Sequence, residues 1–347
     1  MFTKLDLTSA TQLVTQFPEP TPFSAKEKTE KFAEVRALLE QQDAVLITHY
    51  YADETLQELT EISGGFIGDS LEMARFGREH KASTAIVSGV HFMGETAKIL
   101  SPDKCIIVPD LGATCSMDIG CPPQAFAEFC AQYPDHEVVV YLNSSAAVKA
   151  LSDWGVTSSI AVPLIEHLHD QGKKILWAPD KHLGHYLQSK TGAEMVMWDG
   201  ACIVHEAFKA NALRQLKQQY PEAYVLVHPE APAAVLELAD FIGSTSQMLK
   251  KTTQLENQIC IVGTEPGIFY KMRQASPDKQ FIQAPAGGYG ATCQSCAHCP
   301  WMKLNSLDKL ISVLKTGKNT IELSIEMIER AQLPLQRMLA FAQAQNR

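Results

Sequence analysis

The sequence predicts an α/β protein built of three similar units, each a short parallel sheet interleaved with helices. Two observations carry this expectation. Along most of the 347 residues, short β-branched runs alternate with helical stretches, the pattern of parallel strands joined by crossover helices. The alternation also repeats. Residues 45–49, 138–142 and 224–228 each open a block and are each followed by polar residues and a helix. Their starts lie roughly 90 residues apart, a domain-sized rather than a solenoid period.

Taken in order, residues 1–43 form an N-terminal extension and an opening helix. Ser24 and Glu27 have capping-box spacing, and Phe32, Val35, Leu38 and Leu39 share one helical face. The three units then span 44–135, 136–220 and 221–305. Within them, the runs at 84–89, 155–159 and 240–245 read as equivalent strands ending in small or hydroxyl residues. The runs at 105–109, 174–178 and 258–262 read as the next strands. The first unit has its extra strand early, at 65–68, whereas the other two add strands at 195–198 and 280–283. Residues 306–347 read as a helix, a turn at Thr316 and Gly317, and a closing helical stretch through Ile321, Ile325, Ile328 and Met338 that covers a surface.

A net charge of -9 argues against a nucleic-acid partner, because phosphate neutralisation needs clustered Lys and Arg. Residues 1–24 contain Pro18, Pro20 and Pro22 and no long apolar core, so neither a signal peptide nor a membrane span is expected. The expected location is the cytoplasm. Thiols stay reduced there, and the nine cysteines read as ligands, redox groups or small buried hydrophobes.

Cys293, Cys296 and Cys299 form a C-x2-C-x2-C-P run like the opening of a bacterial ferredoxin motif. No fourth cysteine follows at the usual spacing, so a cluster must recruit distant thiols or leave a metal open. Each unit closes with a cysteine beyond its final strand: Cys115, Cys202, and one of the 293/296/299 group. Three thiolates from the carboxyl side of three sheets can hold three irons of a 4Fe-4S cluster, leaving the fourth iron to bind substrate oxygen. A zinc site using the whole run with His298 is the competing use of these thiols. Cys293 and Cys296 also have the spacing of a reversible disulfide switch. Cys105, Cys121, Cys130 and Cys260 read as ordinary residues.

Four stretches, 68–71, 143–146, 157–160 and 243–247, put hydroxyl or amide side chains between a strand and a helix. Each alone reads as N-capping. Together they can hold carboxylates and a phosphate on helix N-termini. His49, with Tyr50 and Tyr51, ends the first strand of unit one, and His228 with Glu230 occupies the equivalent place in unit three. Both histidines can shuttle protons, with Glu230 as companion acid or base, and Tyr141 can donate to an oxyanion. His205 is a candidate ligand or neighbour of Cys202, and residues 180–182 either offer one cation near the strand end or form a solvated loop.

His49 to Tyr51, Gly68 to Ala74, Met93 to Lys98, Tyr141 with Asn143 and Val148 to Ala150, Ala178 to Lys181, His228 to Glu230, Gly243 to Ser246 and the terminal cysteine triplet together resemble quinolinate synthases, closely following the enterobacterial type. The resemblance covers nearly the whole chain. It implies three pseudo-symmetric three-layer α/β/α domains around a central active site holding an oxygen-sensitive 4Fe-4S cluster. It also implies condensation of iminoaspartate with dihydroxyacetone phosphate to quinolinate, with loss of phosphate and water, in NAD biosynthesis, by a transferase that L-aspartate oxidase would supply. The implied cluster ligands are Cys115, Cys202 and Cys299. The implied substrate contacts are His49, Ser70, Tyr141, Asn143, Ser158, His228, Glu230, Ser244 and Thr245, with Tyr51 and His205 nearby. Glu230, His49, Tyr141 and Tyr51 would carry the proton transfers. Cys293 and Cys296 depart from the general family pattern. The rival readings are a non-catalytic iron-sulfur carrier or sensor, which needs a fully ligated cluster, and a structural zinc-binding interaction protein.

Overall fold

Three four-stranded, all-parallel sheets carry the fold. The computed structural model describes residues 23–287 and 297–345, so Cys293 and Cys296, and the disulfide expected of them, lie outside the described residues. The first sheet contains β1 (Ala44–His49), β2 (Phe66–Gly68), β3 (Thr84–Ser88) and β4 (Cys105–Ile107) in the order β2-β1-β3-β4. In the second, β5 (His136–Tyr141), β6 (Trp154–Val156), β7 (Lys174–Ala178) and β8 (Met195–Met197) lie in the order β6-β5-β7-β8. The third orders β9 (Tyr224–Val227), β10 (Phe241–Ile242), β11 (Ile259–Gly263) and β12 (Gln280–Gln283) as β10-β9-β11-β12. The two central strands of each sheet are covered on both faces, which is why they read as near-continuous Val, Ile and Leu runs.

This shared order corrects the strand correspondence expected from the sequence. Phe66–Gly68 is not an extra early strand but the equivalent of β6 and β10, the edge strand beside the first. Thr84–Ser88 corresponds to β7 and β11, and Cys105–Ile107 to β8 and β12. The edge strands β2, β6 and β10 span only two or three residues. A run that short carries no periodic signal, so a longer hydroxyl-rich run was the more visible match.

Register makes the equivalence exact at single positions. Thr48 pairs with Ser88, Val140 with Ala178, and Val227 with Gly263, each ending its third strand. The next residues, His49, Tyr141 and His228, therefore occupy one position in three sheets. On the other side, His49 pairs with Gly68 and Tyr141 with Val156, while Val227 pairs with Ile242, one step short of His228 and Gly243. Two residues past Gly68, Val156 and Gly243 come Ser70, Ser158 and Thr245. Two past the His49 position come Tyr51, Asn143 and Glu230.

The chain folds into two compact units. One runs to Cys115 and takes in Pro300–Ile328; the other comprises Ser116–Cys299 with Glu329–Arg347. The first unit contains the first sheet. The helix Ala25–Gln41 starts on a Ser24/Glu27 capping box and buries Phe32, Val35 and Leu39. These pack with Leu307, Leu310, Ile311 and Leu314 of the helix Leu307–Thr316 and with Leu46 and Ile86 of the sheet. Gly317, left-handed at φ 64°, ends that helix.

Ile321 departs from expectation: it lies outside the closing helix, and its N–H donates to the Ile106 carbonyl at 2.8 Å, beside β4. The closing helix is Ile325–Gln345, and in the second unit it packs against the β6 edge. There Arg337 Nη1 donates to the Asp153 carbonyl at 2.8 Å and its guanidinium lies over Trp154. No helix among the described residues is long and apolar enough to cross a membrane.

Candidate functional site

The carboxyl ends of parallel strands expose unpaired backbone and are where open α/β sheets bind ligands. In the first unit His49 ends β1 and is buried, its Nδ1 accepting the Tyr51 N–H at 3.1 Å while the two rings meet edge-on at 4.6 Å. Gln57, fully buried, donates its amide to the Tyr50 and Ala52 carbonyls at 3.0 and 2.9 Å, so the chain around Tyr51 is held from beneath. Ser70 opens the helix Ser70–Glu79, but the cap is Asp69, whose Oδ1 accepts the Leu71 and Glu72 N–H groups at 3.0 Å.

The second unit repeats this division of labour. Ser244 caps the helix Thr245–Thr252 in a box with Gln247, leaving Thr245 just inside the helix. Gln247 reaches the Ser159 carbonyl at 3.2 Å, which brings the 157–160 and 243–247 turns together. The helix Ala161–Asp170 has no side-chain cap, and Thr157 and Ser159 bond each other at 2.8 Å on either side of Ser158. N-capping thus accounts for Asp69, Ser145 and Ser244, but not for Ser70, Ser158 or Thr245. Asn143 sits half-buried in the turn after β5, where Ser144 Oγ donates to the Tyr141 carbonyl and the buried Lys149 ammonium to the Ser144 carbonyl.

Around Glu230 the second unit brings five of the expected residues together. The Tyr141 hydroxyl donates to Glu230 Oε1 at 2.6 Å, and His205 Nδ1 lies 2.9 Å from Oε2 and 3.2 Å from Cys202 Sγ. His228 Nδ1 lies 3.7 Å from Oε1, and the His205 and His228 rings are 4.7 Å apart. Tyr141, His205, His228 and Glu230 are each at most 5% exposed. Burial opposes ionisation of Glu230, but His228, His205 and the Tyr141 hydroxyl outweigh it and hold the carboxyl below the usual range. Burial pushes His228 down to about 4, against the pull of Glu230, so its ring is neutral at pH 7. A carboxylate can only accept, so His205 carries its proton on Nδ1. The Thr264 hydroxyl, 2.9 Å from Nε2, serves the other ring nitrogen.

Cys202 stands just before the short helix Ile203–Glu206. Its N–H donates to Asp180 Oδ2 at 3.1 Å, and Oδ1 of the same carboxylate caps the helix Lys181–Thr191 through the Leu183 N–H at 2.7 Å. Ser116 Oγ accepts the Ile203 N–H at 3.1 Å and donates to the Ala201 carbonyl at 3.2 Å. The turn is also locked at Gly200, where a Cβ would come within 2.4 Å of the Pro179 carbonyl. Ser116 follows Cys115 in sequence, and Cys202 and Cys299 pack on one apolar cluster of the second unit. His298, beside Cys299, lies 3.0 Å through Nδ1 from the buried Glu265 carboxylate.

Several of these contributors went unrecognised in the sequence. Asp180 is wholly buried rather than part of a solvated loop, although Lys181 does pair with Asp199 and Glu206 at the surface. Asp180 precedes a helix with N-cap spacing, which would have identified it as a cap but not as the acceptor for Cys202. Thr264 follows β11 directly, and only the corrected strand register singles it out. Cys105 and Cys260 lie in strands as expected, Cys130 ends a helix, and Cys121 is buried.

Short all-parallel sheets, capped helix starts at their carboxyl ends and a buried thiol, histidine and carboxylate cluster define an α/β protein with a built polar centre. The particular family follows from comparison: residues 33–340 match quinolinate synthetase A protein, NadA, and the chain belongs to that family. Membership makes it an enzyme and supports quinolinate synthesis in NAD biosynthesis.

Proposed function

We propose that the protein condenses iminoaspartate with dihydroxyacetone phosphate to quinolinate, releasing phosphate and water, as a transferase. The observation that carries this reading is the register equivalence. His49, Tyr141 and His228 share one position, Tyr51, Asn143 and Glu230 a second, and Ser70, Ser158 and Thr245 a third. Eight of the nine substrate contacts inferred from family resemblance, all but Ser244, together with the neighbouring Tyr51, thus reduce to three positions of one repeat. On this reading the repeats 44–135, 136–220 and 221–305 are pseudo-symmetric domains that each present the same three positions to a common substrate.

Cys115, Cys202 and Cys299 would hold a 4Fe-4S cluster. Supporting this are the fixed peptide groups on both sides of Cys202, the attachment of Ser116 to that same turn, and the packing of Cys299 against the same apolar cluster. Bound there, the cluster would supply a Lewis acid through an iron with an open position. The chain's own residues would do the rest. Ser70, Ser244 and Thr245 at helix starts, Ser158 in the turn before one, and Asn143 bind the phosphate and carboxylates, so a protein of charge -9 needs no basic patch for its anionic substrates. Glu230, ionised and buried, accepts protons from the condensing carbons; Tyr141 and His49 return protons to oxygens that leave; neutral His228 donates or accepts hydrogen bonds without adding charge. Tyr51 orients His49, and His205 holds Glu230. Iminoaspartate would come from L-aspartate oxidase, and thiolate ligands that must stay reduced suit the cytoplasm.

Quinolinate production by anaerobically reconstituted protein given both substrates tests the reading, and absence of product rejects it. Glu230→Gln should retain the cluster's visible absorption while losing nearly all turnover. Near-normal turnover in that variant would remove Glu230 from the proton transfers.

A further inference from the structure

We propose that Cys202, His205 and Glu230 form a three-ligand site for a single zinc-class divalent cation when the protein carries no cluster. The donor atoms Sγ, Nδ1 and a carboxylate oxygen all lie within 4.8 Å of one another. The measured edges are 3.2 Å from Sγ to Nδ1 and 2.9 Å from Nδ1 to Oε2. A tetrahedral zinc with thiolate, imidazole and carboxylate ligands spaces them about 3.3–3.6 Å apart. These two edges therefore need to open by only a few tenths of an ångström, and the third, from sulfur to carboxylate, stays within 4.8 Å. Sulfur, imidazole and carboxylate form a donor set that suits zinc, and three protein ligands leave a fourth position open.

The second observation is what stands behind the ligands. Metal-bound histidines hold their other ring nitrogen on a hydrogen-bond partner, and ligating carboxylates are themselves hydrogen-bonded. Here Thr264 Oγ lies 2.9 Å from His205 Nε2, the Tyr141 hydroxyl binds the other Glu230 oxygen at 2.6 Å, and Asp180 holds the Cys202 N–H. Thr264 and Asp180 are completely buried. The same contacts also serve as the internal hydrogen bonds of a catalytic group, and metal binding exchanges them with the protons balanced. The cation displaces the Cys202 thiol proton to solvent, and the His205 proton moves from Nδ1 to Nε2, where Thr264 accepts it.

One consequence depends on the proposed function: if Cys202 is a cluster ligand, the cation and the cluster compete for its sulfur. Zinc would then block cluster assembly, and the site would act as a trap for the wrong metal in iron-starved protein.

The test uses full-length protein stripped anaerobically of iron and sulfide, with Co2+ as spectroscopic probe and Zn2+ as competitor. One equivalent of Co2+ should give a thiolate charge-transfer band that Zn2+ abolishes. Cys202→Ser should remove the band. His205→Ala and Glu230→Gln should weaken binding at least about tenfold, and Thr264→Val about tenfold. Cys296→Ser should change nothing. Unfolding midpoints of all variants establish that the fold survives. A band that persists in Cys202→Ser and disappears in Cys296→Ser would place the metal in the terminal cysteine run and overturn the proposal. Equal affinity in the native protein and in His205→Ala and Glu230→Gln would overturn it too. Zinc-loaded protein should take up less iron and sulfide on reconstitution. Unimpeded uptake, with the Co2+ pattern as expected, leaves the site standing and removes Cys202 from the cluster.

Discussion

Glu72 makes a sharp thermodynamic prediction. Its Oε2 accepts the Asp69 N–H at 2.9 Å in the capping box and lies 3.3 Å from the Tyr50 hydroxyl. Burial, and then the neighbouring Asp69 charge, raise the carboxyl from 4.5 to about 7, against the opposing pull of those hydrogen bonds. A carboxyl raised on folding binds more protons folded than unfolded throughout that interval, so its contribution to stability falls as pH rises from 4.5 towards 7. Each unit of displacement corresponds to about 1.4 kcal/mol, giving a ceiling of about 3 kcal/mol, most of it lost between about pH 5 and about pH 8. Glu72→Gln keeps an oxygen acceptor for the Asp69 N–H and cannot ionise. In urea titrations of the variant and the native protein, the variant should gain stability relative to the native protein as pH rises, by about 2 kcal/mol or more across that range. Subtracting the two curves cancels the titrating groups that do not interact with Glu72. A difference that does not change with pH would show that Glu72 ionises as easily in the folded protein as in the unfolded chain, and the argument would fail.

Leu310→Ala removes a fully buried side chain where the helices Ala25–Gln41 and Leu307–Thr316 meet the first sheet, and should cost about 2–5 kcal/mol in denaturant unfolding. Gly200→Ala forces the Pro179 carbonyl away from the Cys202 turn; trypsin digestion should then cut near Lys181 faster than in the native protein. Asp180→Asn puts an amide N–H where Cys202 N–H needs an acceptor, costing about 1–3 kcal/mol locally. Its readout is faster alkylation of Cys202 in cluster-free protein, followed by mass spectrometry.

Much of this molecule could be read in one dimension. The alternation of buried Val and Ile runs with helices, its repetition, the Ser24 capping box and the Gly317 helix stop are local patterns, set by burial period and backbone preference, and they survive into the fold unchanged. The candidate residues at the carboxyl ends of visible strands were legible too, His49 and Tyr141 within them and His228 just beyond. Pairing could not be read this way. Edge strands as short as Phe241–Ile242 have no period of their own, and their place is set by hydrogen bonds to a neighbour distant in sequence. Only the sheet order therefore aligned Ser70 with Ser158 and Thr245. Nor could linear spacing show that Asp180 is buried against Cys202, that Thr264 meets His205, or that Tyr141 and Glu230, far apart along the chain, share a 2.6 Å hydrogen bond. Residue types announce which chemistry is available, whereas protonation and contact depend on burial and partners that exist only once distant segments have packed together.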